Sequence, residues 1–197
     1  MRAALVLCLS ILVAACGSPP APAAAVTPSA SQAPASAPRI QEPPVTPPTP
    51  PGTNLPEFAC ADASGGKTGV ANAVTARVAE QTGYDRFVLQ FDSTVPSYTV
   101  KRQPTPVFPF GPSGQTIALS GTSGVLVRVH SATGASTFSG PTDFTHGEYL
   151  VLKEARQTED FEGYVSWGLG LGKTACLRTF TLADPARLVV DLSTTSA

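Results

Sequence analysis

The sequence predicts an all-β fold, a β-sandwich of mainly antiparallel strands, preceded by a leader and an unstructured linker. Three observations predict it. Short segments alternate apolar and polar residues or run briefly apolar; Gly, Pro, Ser and Asp punctuate the gaps between them; no window carries an amphipathic helix capped at both ends. Regularly spaced short strands with such turns make a sandwich or a barrel.

The chain opens with one cation, Arg2, then the apolar run AALVLCLSILV and small residues leading to Cys16. This is a secretory signal peptide over residues 1–15, too short to span a membrane stably. Val13, Ala14, Ala15 and Cys16 resemble the lipobox of bacterial lipoproteins. That resemblance implies a diacylglyceryl group on Cys16, which becomes the mature N-terminus and the lipidation site. Cleavage at small residues beside an incidental cysteine is the alternative. The lipid makes the membrane a partner and places the protein outside the cell, anchored to the outer face of the membrane.

Residues 16–57 are rich in Pro, Ala, Ser and Thr, and hold more than half of the 20 prolines. No core can form there, so the segment reads as an extended tether reaching on the order of 100 Å, at about 3.1 Å per residue where it is polyproline II. Residues 58–197 form one domain, long enough to bury its own core. The formal charge of -1 is spread over interspersed acids and bases, giving no field for nucleic acid or an anionic bilayer.

Within the domain the predicted strands run in order through TARVAEQ, DRFVLQFD, YTVKRQ, TIALSG, VLVRVHSA, EYLVLKEARQTE, YVSWGLGL, CLRTFTLA and RLVVDLS. In VLVRVHSA, Val125, Val127 and Val129 share a core face, while Arg128 and His130 share the wet one. TPVFPFGPSG reads as an irregular loop. Once Cys8 leaves with the leader and Cys16 takes lipid, Cys60 and Cys176 remain. Two cysteines in an oxidising compartment read as one disulfide, pinning the start of the domain to a strand near its end. A metal site is disfavoured, since neither cysteine has a short-spaced ligand partner and the chain has only His130 and His146. No cofactor motif appears.

Three stretches are the most distinctive: GYDRFVLQFD (Gly83 to Asp92), DFEGYVSWGLGL (Asp160 to Leu171) and FTLADPARLVVDL (Phe180 to Leu192). Together they resemble the AMIN-like domain of secreted and lipid-anchored bacterial envelope proteins, over essentially the whole folded region. The ending PARLVVDL also resembles the closing strand of the wider AMIN family. For that family the resemblance implies a β-sandwich that attaches to peptidoglycan or to an envelope protein partner, without catalysis of its own.

Candidate contact residues follow from chemistry. Arg86 and Arg187 can hold a peptide carboxylate bidentately from the outer face of a sheet; alternatively they pair with Asp85, Asp184, Asp191 or Glu159. Trp167 can serve as a sugar platform or as packing. Phe108 and Phe110 lie in the predicted loop, where contact residues concentrate, or cover one end of the core. Catalysis finds little support, since there is no HExxH and no GxSxG elbow. A wall hydrolase using Glu159, Asp160, Glu162 or Asp143 and a purely structural lipoprotein are the alternatives. WGLGLGKT is not a phosphate loop, because the first glycine must stand five positions before Gly172, with four residues between them, and that position holds Trp167, and a strand follows. Its alternating glycines instead predict close backbone approach or a bulge.

Overall fold

The computed structural model describes residues 54–195; the leader, Cys16 and nearly all of the tether lie outside the described residues. Every regular element among the described residues is a strand, numbered here in chain order. One sheet runs β1 (Ala63–Gly65), β4 (Tyr98–Gln103), β7 (Ser123–His130), β11 (Tyr164–Leu171), β10 (Leu152–Phe161) and β9 (Asp143–Thr145) from edge to edge. The second runs β12 (Cys176–Leu182), β13 (Arg187–Ser193), β3 (Tyr84–Phe91), β2 (Ala71–Gln81) and β8 (Ala132–Thr133). A separate hairpin pairs β5 (Val107–Phe110) with β6 (Gln115–Ala118). All pairings are antiparallel except the short β2–β8 contact. The all-β expectation holds, and YTVKRQ, YVSWGLGL and RLVVDLS match β4, β11 and β13 end to end.

Period-two alternation builds the core. Phe87, Leu89 and Phe91 of β3 and Leu188, Val190 and Leu192 of β13 point inward from one sheet, and Val125, Val127, Val129, Trp167 and Leu169 from the other. Trp167 sits at the centre, its ring 5.3 Å from Phe87, 6.0 Å from Phe138 and 6.1 Å from Phe144. The same parity places Asp85 inside. Its buried carboxylate crosses between the sheets, accepting Val151 N–H at 2.5 Å and Leu152 N–H at 2.7 Å. This contact explains why EYLVLKEARQTE enters its strand only at Leu152: the amides of residues 151 and 152 are turned to a carboxylate across the core.

The expected disulfide joins Cys60 to Cys176. Beside it, Ala59 and Leu177 exchange backbone hydrogen bonds at 2.8 Å each, so the chain at Ala59 and Cys60 lies against the start of β12. One expectation is corrected: TPVFPFGPSG is not an irregular loop but β5 and its turn. Its prolines and glycines read as breakers, whereas Pro109 sits at an edge position that a two-stranded hairpin tolerates.

Candidate functional site

The outer face of the six-stranded sheet divides into a covered half and an open half. In β11, Trp167, Leu169 and Leu171 face the core, which leaves Gly168 and Gly170 on the outside, and Gly170 lies opposite Gly124 of β7. These bare positions receive the β5–β6 hairpin. Phe108, fully buried, fills the notch: a side-chain carbon built on Gly124 or Gly168 would stand 2.6 Å or 2.7 Å from its ring. Gly170 is held against the Ser120 carbonyl. Glu154 fastens the end of the hairpin by accepting from the Ser120 amide and hydroxyl, both at 2.8 Å, and Gly111 N–H donates to the Thr158 carbonyl at 2.8 Å.

Cross-strand register sets out the open half as two rows. His130, Tyr164 and Phe161 stand side by side on β7, β11 and β10; Thr99, Arg128, Ser166 and Glu159 form the next row on β4, β7, β11 and β10. Arg128 ties the rows together. Its guanidinium lies 4.5 Å from the Tyr164 ring centroid and donates to Glu159 Oε2 at 2.8 Å, which also accepts from the Ser166 hydroxyl at 2.8 Å. The His130 ring lies 4.8 Å from Tyr164. On one side of the Arg128–Glu159 pair a cleft of about 350 Å³ is lined by Thr99, Lys101, Arg128, His130 and Tyr164. On the other, a groove of about 330 Å³ is lined by Phe110, Gln157, Thr158, Glu159 and Phe161. Lys101 has no acid partner among the described residues. The cleft therefore presents three basic side chains to one carboxylate, an arrangement suited to an acidic ligand. A larger pocket of about 410 Å³ opens at Gly66, Lys67, Thr94, Leu182 and Asp184, but no aromatic ring lines it and it touches neither row.

The contact residues singled out from sequence fall elsewhere, with one exception. Arg86 is an ion-pair residue on the outside of the other sheet. Its Nε and Nη2 meet the fully buried Asp191 carboxylate at 2.6 Å and 2.9 Å, and Arg178 grips the same carboxylate at 2.6 Å. The hydrogen bond that Arg86 donates to Asp191 holds its guanidinium above its ordinary pKa, outweighing the opposing desolvation. Phe58 and Tyr84 cover Arg178, with ring centroids 4.4 Å and 4.7 Å from its guanidinium carbon. Arg187 donates to the carbonyls of Pro185 at 3.1 Å and Asp184 at 3.4 Å, closing the turn before its own strand. Trp167 and Phe108 are corrected as contact candidates, since both are fully buried and offer no face to a ligand. Phe110 alone reaches the open half, 38% exposed at the rim of the groove.

The acids considered for hydrolysis are not gathered around one bond. Asp160 accepts from the Thr133 hydroxyl and Gly134 N–H, both at 2.9 Å, on the opposite face of β10 from Glu159. Asp143 pairs with Arg156 at 3.4 Å, and Glu162 occupies the β10–β11 turn at φ 48°. Sequence reasoning did not single out Lys101, Arg128, His130, Tyr164 or Phe161. A signal was present: alternation already put Arg128 and His130 on the wet face of β7, beside a strand whose glycines leave that face bare. Register, which decides what stands next to them, was not.

Residues 71–194 match the family model described as the AMIN-like domain. No curated protein matches the chain.

Proposed function

The chain belongs to the AMIN-like domain family, a family of generally non-catalytic cell-envelope binding modules, and from that membership we propose a lipid-anchored, exported protein whose sandwich binds peptidoglycan through the open half of its six-stranded sheet. Lipid on Cys16 and the tether over residues 16–57 hold the module at the outer face of the membrane, within reach of the wall. The observation that carries the reading is the basic cleft of Lys101, Arg128 and His130 around Tyr164. Stem peptides of the wall offer carboxylates, which suit such a cleft; an envelope protein presenting an acidic segment is the alternative partner. No covalent step is required, and each acid named for hydrolysis other than Glu162 has a structural partner.

Co-sedimentation with insoluble peptidoglycan tests this. The full chain in detergent micelles is expected to pellet with the wall, and Lys101→Ala with Arg128→Ala to weaken binding about tenfold, with the loss reproduced by raising salt. Protein that stays wholly in the supernatant at low salt would remove the wall and leave the protein partner.

A further inference from the structure

We propose that the groove beside the basic cleft is a pyranose subsite, in which Phe110 and Phe161 are the ring platforms and Glu159 supplies the polar contact. The inference rests on the wall-binding reading and narrows it, making the glycan strand rather than a protein the bound polymer.

Phe110 and Phe161 come from different elements, the end of β5 and the end of β10, yet line one groove at 38% and 46% exposure. Exposed phenylalanines scattered singly need no explanation, but two that share a groove of small-molecule size do. An aromatic face carries negative potential, to which the apolar, weakly positive C–H face of a pyranose is complementary. A sugar also needs hydrogen-bonding groups at its edge. Both bonds made by Glu159 fall on Oε2, so Oε1 faces no donor among the described residues.

These groups disfavour the alternatives. A phosphate would meet Glu159, whereas a sugar hydroxyl can donate to its Oε1. The position of the groove is telling. Phe161 is the cross-strand neighbour of Tyr164, so a sugar in the groove places its substituents toward the cleft, where Lys101, Arg128 and His130 await an acid. Aromatic platform and basic cleft thus match a glycan that bears acidic peptides.

The test uses the full chain in detergent micelles titrated calorimetrically with tetra-N-acetylchitotetraose, a neutral sugar with no acid. Binding is expected; Phe161→Ala and Phe110→Ala should each weaken it about tenfold, while Phe161→Tyr retains it. Unchanged melting of the alanine variants separates lost contact from lost fold. A chain that pellets with peptidoglycan yet gives no heat with chitotetraose overturns the pyranose subsite and leaves wall binding standing. Sugar binding indifferent to both phenylalanines overturns it equally. Chitotetraose binding that depends on them, without sedimentation, upholds the subsite and removes the wall.

Discussion

Asp191 is one carboxylate held by two guanidiniums, fully buried on a sheet face where charge is costly without partners. The row Arg178, Asp191, Arg86 crosses β12, β13 and β3, so the acid stitches three strands at one level. Replacing it with alanine leaves two half-buried cations facing each other. Asp191→Ala is therefore expected to cost about 3–5 kcal/mol, read as a lower urea midpoint with unchanged slope; a midpoint within error of the parent would show the row to be ornamental. The pairing of Arg86 with Asp191 was among the readings available from sequence, because both sit at strand ends in matching Asp/Arg patterns. Arg178 and its aromatic cover were not, since only register brings residues 13 and 105 positions away to the same acid. The inward carboxylate of Asp85 was legible in principle: the alternation that buries Phe87 buries Asp85 too.

At the scale of elements, the β5–β6 hairpin and the glycines beneath it form one unit. WGLGLG carries two messages in alternate letters, core on one side and a bare surface on the other. The close approach predicted from those glycines is real, but what approaches is a hairpin contributed by a stretch that Pro and Gly had disguised as a loop. Gly168→Val should push Phe108 out of its notch and cost about 1–3 kcal/mol by overpacking. Hydrogen exchange locates the effect: the amides of Gly111 and Leu119, which donate to Thr158 and Pro106, should lose protection while β7 and β11 keep theirs. Equal protection in variant and parent would show that the hairpin does not depend on the glycine seat. Because Phe110 belongs to the same hairpin, loosening it should also disturb the rim of the groove. Fold class and most strands were thus readable from period-two patterning. The open face was not, because it is defined by which strand lies beside which and by what covers the rest.

For the molecule as a whole, the Cys60–Cys176 bridge closes a loop of sequence separation 116. In the chain-entropy account such a loop stabilises by about 4–5 kcal/mol. Cys60→Ser with Cys176→Ser is expected to lower the denaturation free energy by that order, and a reducing agent to act on the parent alone; equal stability of parent and variant without reductant would contradict it. The bridge also has a mechanical meaning. Any pull arriving along the chain from before residue 60 first strips the Ala59–Leu177 pair and then reaches a covalent junction at the start of β12. The three-residue β1 and its short ladder to β4 lie beyond that junction, shielded from the load. Under the anchoring and wall binding proposed above, the module would work under tension, with the rope spliced to β12, next to a paired run of seven residues, rather than knotted to the frailest edge of the fold.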